Sequence, residues 1–157
     1  MPSTTPPDQI GADTFTPREA FARFQRALLD GSPTDATHIA EDVLVEWPFS
    51  PPGRPRSVQG RETYLAFAAA GREALPVRFD EFRNVVIHDT TDPEVIVVEW
   101  DLTGTHKVTG VQATASFVTM LRVRDGEVVH VREYQDVLTM ATALGQLPDL
   151  MAELAAR

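Results

Sequence analysis

Two periodicities divide the chain. Before about residue 71 apolar residues recur mainly at helical spacing, and from residue 77 to residue 137 they alternate with polar ones. Thr16-Pro17-Arg18-Glu19 supplies an N-cap, a proline at the first helical position and a glutamate three residues past the cap, ahead of Phe21, Phe24 and Leu28. A helix is therefore predicted over Pro17 to Leu29. Asp30-Gly31 ends it, and Ser32-Pro33 is expected to start a short second helix reaching about Ala40. Val43, Val45 and Trp47 then alternate with Leu44 and Glu46 as a strand. Pro48 to Arg56 holds four prolines and a glycine, which neither continue a helix nor serve a ladder, so it is read as an irregular excursion. Gly60 opens a third helix carrying Tyr64, Leu65 and Phe67.

The alternating region divides into four predicted strands, roughly Val77 to His88, Glu94 to His106, Val111 to Arg124 and Glu127 to Val137. Asp125-Gly126 favours a tight hairpin, and Gly104 and Gly110 bracket the preceding connection, so the strands read as an antiparallel meander. Helical spacing returns from Leu138 to Ala156, broken at Gly145 and Pro148, for one or two short closing helices. The expected class is α+β, a strongly curved, mostly antiparallel sheet wrapped around the N-terminal helices with a pocket on its concave side.

Length and composition add limits to this picture. At 157 residues and 43% hydrophobic content, one domain over residues 15–157 is expected, with the Pro-, Ser- and Thr-rich residues 1–14 as a disordered leader that lacks the features of a signal peptide. Fourteen Lys and Arg against 23 Asp and Glu give a net charge of -9, which repels phosphate backbones and anionic head groups, so neither nucleic acid nor a membrane is an expected partner. The absence of cysteine removes disulfides, thiolate nucleophiles and Cys-based zinc sites, and fits a cytoplasmic protein.

Candidate chemistry is sparse. In the last strand Val129, Val131, Glu133 and Gln135 are expected to share a face, which makes Glu133 a carboxylate continuing an apolar row. On a concave face desolvation raises its pKa and makes it a general acid or base; at a strand end it instead pairs with an arginine. His106 ends the row Ile96, Val98, Trp100 and Leu102, either as a proton carrier or as a histidine in a turn. Trp47, Tyr64, Phe67, Trp100 and Phe117 are candidate substrate-contacting walls, or plain core. No metal spacing, phosphate cradle or nucleophile elbow is present, so neither a metal nor a cofactor is expected.

Three segments in order, Ala40 to Phe49, Gly60 to Leu65 and Arg124 to Asp136, resemble the SnoaL-like branch of the nuclear-transport-factor-2-like superfamily. Phe49 to Arg56 and Thr91 to Val95 are most similar to the phenazine-biosynthesis A/B proteins. The resemblance implies a cone-shaped barrel, a homodimer, and an acidic residue in the last strands that moves a proton without metal or cofactor; Glu133 stands at that position. The phenazine proteins pair their glutamate with a histidine and a serine on the helix after the Gly-Arg-Glu segment, and Thr63 to Ala70 contains neither. Gln135 also stands where many relatives carry an aromatic residue, so a different substrate is implied. The expected function is a cofactor-free acid/base enzyme of specialised metabolism, such as antibiotic biosynthesis, which cyclises or isomerises a mostly apolar small molecule through Glu133 and His106. The alternatives are a non-catalytic binding protein, an adaptor with a filled pocket, and an epoxide-hydrolase-like enzyme using Asp101, Arg132 and Asp136.

Overall fold

The computed structural model describes residues 14–157. The expected leader lies outside the described residues, apart from Thr14.

Helix α1 spans Pro17–Asp30. Its capping box closes reciprocally: the Thr16 hydroxyl accepts from the Glu19 amide at 3.2 Å, and the Thr16 amide donates to the Glu19 carboxylate at 2.7 Å. Gly31, at φ 66°, takes the left-handed turn that ends the helix.

The short helix expected to follow is replaced by a single 3-10 turn at Ala36–His38, and strand β1 begins at once, over Ile39–Glu46. The Asp35 carboxylate holds the turn, accepting from the Thr37 amide at 2.9 Å and the Thr37 hydroxyl at 2.5 Å. Ile39 then pairs with Val128 in a sheet and becomes buried, which outweighs further helix. After the proline-rich excursion come β2 (Ser57–Gln59), which the alternation did not reveal, and α2 (Arg61–Ala74).

The meander is present as β3 (Val77–Asp89), β4 (Val95–His106), β5 (Gln112–Arg124) and β6 (Glu127–Gln135). The turn between the last two strands has positive φ at both Asp125 (50°) and Gly126 (78°), as a two-residue hairpin of this hand requires. β6 stops two residues short of the expected Val137 because the Asp136 carboxylate accepts from the Thr139 amide at 3.1 Å and caps α3 (Val137–Ala143). α4 (Leu147–Ala155) follows. Among the described residues no helix is long and apolar enough to cross a membrane.

The strands form one mixed six-stranded sheet in the order β2-β1-β6-β5-β4-β3, antiparallel except where β1 runs parallel to β6. Register shifts in β3 near Asp80 and at Asn84–Val85, and another facing Arg122 and Val123, bend the strands and curl the sheet. Gly104 permits the tightest approach: a Cβ there would lie 2.7 Å from Val77 Cγ1.

Helix α1 packs across the concave side on β3, β4 and β5, while α2 lies over β1 and β2. The concavity is floored by aromatic rings. Trp100 stacks on Phe117 at 4.2 Å between centroids and on Phe82 at 4.9 Å, and Phe21 and Phe24 of α1 meet Trp100 edge-on.

Candidate active site

Glu133 lies on the concave face, on the C-terminal side of an irregularity in β6. Val123 pairs with Val128 but Arg122 pairs with His130, so Val129 is the extra residue of a bulge. Val128 and Val131 therefore share the core side with Glu133, and Val129, expected in that row, drops out of it. The predicted row is corrected at that one position, and the facing of Glu133 is unchanged.

Three neutral donors converge on the Glu133 carboxyl. Gln135 Nε2 donates to Oε1 at 2.7 Å, the Thr119 hydroxyl donates to Oε2 at 3.4 Å, and the Trp47 indole N–H is the third. Thr119 lies directly across from Glu133 in the β5–β6 register, while Trp47 follows β1, whose Glu46 pairs with Arg132. The Thr119 hydroxyl is itself oriented. It accepts from Trp100 Nε1 at 3.0 Å, and because an indole only donates, the hydroxyl proton is left for Glu133.

Among the described residues no cation pairs with Glu133, so the strand-end arginine expected on the alternative reading is absent. Desolvation pushes the carboxyl above its ordinary range, and the three donors only partly oppose it. The residue as a whole keeps some accessible surface while its carboxyl is surrounded by protein.

The candidate wall residues separate into two groups. Trp47, Tyr64 and Phe67 border Glu133: Trp47 donates to it, Phe67 meets Trp47 at 5.0 Å between ring centroids and is 37% exposed, and Tyr64 senses its charge. The Tyr64 phenol is pushed up to about 12, first by burial and then by the neighbouring Glu133 carboxylate. Its side chain packs against the cluster of Ile39, Val43 and Val45, and its hydroxyl has no hydrogen-bond partner among the described residues. Trp100 and Phe117, 3% and 8% exposed, belong to the stacked core beneath the site.

His106 is not brought to Glu133. Val98 pairs with Thr119, which pairs with Glu133, whereas His106 lies eight residues further along β4, about 26 Å of extended chain. Its Nδ1 accepts from the Val108 and Thr109 amides at 3.3 and 3.2 Å and organises the turn into β5. The epoxide-hydrolase-like set does not gather either. Asp101 faces outward and binds Asn84 at 2.7 Å, Arg132 lies over Tyr134, and Asp136 caps α3.

Thr119 and Gln135 were not among the candidates from sequence. Thr119 carried a legible signal, as the lone polar member of the row Ala115, Phe117, Thr119, Leu121 and Val123. An open groove of about 520 Å³ runs past Phe49, Asn84, Asp101, Val118 and Tyr134, and Gln135, Trp100 and Phe117 also line it.

The SnoaL-like domain family model matches residues 21–131. An uncharacterised PhzA/B-like protein of Pseudomonas aeruginosa is 32% identical over 102 residues, covering 65% of this chain and 70% of its own length. Among solved structures, one from Bacillus subtilis, named as a candidate isomerase, superposes with a TM-score of 0.72 at 19% identity, covering 82% of this chain and 94% of that one. Another from Pseudomonas putida, named as a candidate polyketide cyclase, gives 0.65 at 15% identity, with 82% and 98% covered. The bulged, curled meander and the long family match agree, and the chain belongs to the SnoaL-like domain family.

Proposed function

We propose that the protein is a cofactor-free acid/base enzyme in which Glu133 moves a proton during cyclisation or isomerisation of a mostly apolar small molecule in specialised metabolism. The observation that carries this reading is the Glu133 carboxyl itself, held by neutral donors, lacking a cation and raised by desolvation. A carboxyl in that setting changes protonation nearer neutral pH than a free one, which suits it both to take and to return a proton. Two of the structural neighbours are named as a candidate isomerase and a candidate polyketide cyclase, and this reading is of that kind.

The same reading takes the enzyme as a homodimer joined through the outer sheet face. Phe49, Val86 and Met120 are exposed there, and the buried Nε of Arg132 lacks a partner on the face that also carries Glu99 and Asp101. Opposite charges on one face allow self-complementary docking about a two-fold axis.

The test is a carboxyl-resolved NMR titration of the full chain, with Glu133→Gln to assign the signal. The expected Glu133 midpoint lies clearly above the ~4.3 of a free glutamate. A midpoint at or below that value removes the acid/base role.

A further inference from the structure

Two opposite charges on the sheet face turned away from α1 find no counter-charge within the chain. Among the described residues Arg132 makes no hydrogen bond or ion pair: its Nε is buried without a partner, and its terminal nitrogens are accessible. Glu46, its cross-strand neighbour on β1, binds His130 instead, at 2.7 Å. The guanidinium lies 5.8 Å from the centroid of the Tyr134 ring, and that ring lines the open groove together with Val118 and Asp101. Asp101 is the complement. Its cross-strand neighbour Arg83 turns to Glu81 at 2.7 Å, which leaves Asn84 (2.7 Å) and the Ser116 hydroxyl as its donors. Both are neutral and hold the carboxyl below its ordinary range, so Asp101 is an anion that no cation contacts among the described residues.

Strand register places the two charges symmetrically. Val118 pairs with Tyr134 on one side and with Glu99 on the other. Arg132 stands two residues before Tyr134, level with Met120, and Asp101 stands two residues after Glu99, level with Ser116. Each is thus one strand and two residues away from Val118, in opposite directions, and the two are about 16 Å apart in one chain. Val118 is their midpoint.

Building on the homodimer reading, we infer that Arg132 of each copy binds Asp101 of the other, across a two-fold axis that lies in the interface over Val118. When two sheets pack face to face, a two-fold axis relating them runs between and parallel to them. An axis over Val118, at right angles to the line from Arg132 to Asp101, exchanges those two positions. Each guanidinium then faces the partner's Asp101, both pairs form at once, and the two arginines stay apart. Packed sheets lie about 10 Å from each other, a gap that an arginine and an aspartate span together. Two such pairs also oppose the repulsion between chains that each carry a net charge of -9. The planar guanidinium suits this role, since it can meet a carboxylate with two parallel hydrogen bonds.

The experiment uses the full chain, with dimer dissociation measured by analytical ultracentrifugation. The wild type should be a dimer, and Asp101→Arg should raise its dissociation constant at least about 100-fold, because both pairs are lost and arginines face each other. Combining Asp101→Arg with Arg132→Asp should return the constant to within about tenfold of the wild type. Rescue reports contact between copies, since the two positions are too far apart to meet in one chain. The chain has no cysteine, so a single introduced thiol reads the axis without touching either charge. Val118→Cys should cross-link to itself with a short bismaleimide, while Thr114→Cys, four residues along the same strand face, should not. That comparison stands even if a charge-reversed variant fails to fold. A wild-type monomer at every concentration overturns the homodimer reading and the pairing with it. Given a wild-type dimer, undiminished dimerisation of Asp101→Arg, a folded double variant without rescue, or no self cross-link in Val118→Cys overturns the pairing and leaves the homodimer reading in place.

Discussion

Replacing Thr119 by valine removes one hydroxyl and nearly preserves the side-chain shape, so its effect isolates a hydrogen-bond relay. Thr119 is 4% exposed, and its oxygen is the partner of the equally buried Trp100 indole N–H at 3.0 Å. Valine leaves that N–H unpaired, at a cost of about 1–3 kcal/mol. The longer 3.4 Å contact to Glu133 adds little to stability but bears on titration, since the hydroxyl donates to the charged carboxylate. Its removal should raise the Glu133 midpoint above that of the wild type. The sign follows from linkage. A native carboxyl that holds its proton more tightly than in the unfolded chain loses stability as pH rises through the window between the two midpoints. The stability deficit of Thr119→Val should therefore be smaller at pH about 3, where Glu133 is protonated in both states, and larger at neutral pH, by about 1.4 kcal/mol for each unit the midpoint moves. Urea unfolding at the two pH values and carboxyl NMR test both parts, and Thr119→Ser should restore both. A Thr119→Val protein with the wild-type urea midpoint at both pH values and an unmoved Glu133 titration would refute the relay.

The other predictions follow from the same geometry. Glu133→Gln removes a desolvated charge that no cation offsets, so relative to the wild type it should gain stability as pH rises above about 4 and lose that advantage below; a difference independent of pH contradicts the raised carboxyl. His106→Ala frees the Val108 and Thr109 amides in an exposed turn, so it should lower stability by less than about 1 kcal/mol and leave the Glu133 titration in place. A shifted Glu133 midpoint in that variant would restore the pairing that the strand geometry denies. Phe49→Asp places a charge on a side chain that is 66% exposed at the outer face, and light scattering should find a monomer where the wild type is a dimer. A dimer retained in that variant moves the interface elsewhere.

The meander was legible because each strand alternates and the Asp125-Gly126 turn demands φ values that few other residues adopt. The first helix was legible because Thr16, Pro17 and Glu19 are local signals read within one turn. The segment from Ser32 to Ala40 was not. Its proline and serine suit a helix start, but burial of Ile39 and its pairing with β6, nearly ninety residues away, decide the outcome. Glu133 was legible as a carboxylate in an apolar row because the row's sense survives the Val129 bulge on its C-terminal side. The bulge itself was hidden, since one extra valine among valines leaves no mark on the hydrophobic pattern. His106 failed as a partner for a related reason. Sharing a face with Trp100 on β4 says nothing about distance along the strand, and the site lies at the level of Val98 and Thr119.

The nature of the donors around Glu133 decides what kind of acid it is. An arginine in contact would fix the carboxylate as an anion, lower its proton affinity and make it a weak base. A wholly apolar surround would keep it protonated and leave its rotamer undetermined. Gln135, Thr119 and Trp47 lie between these extremes: they fix the orientation of both oxygens yet return only part of the solvation lost on burial. Orientation is thus separated from charge stabilisation, and the carboxyl keeps an appetite for a proton. The arrangement also explains why the stacked core lies directly beneath the site. Trp100 is held between Phe82 and Phe117, its indole N–H aims at Thr119, and through that hydroxyl the rigidity of the core is passed to the Glu133 carboxyl.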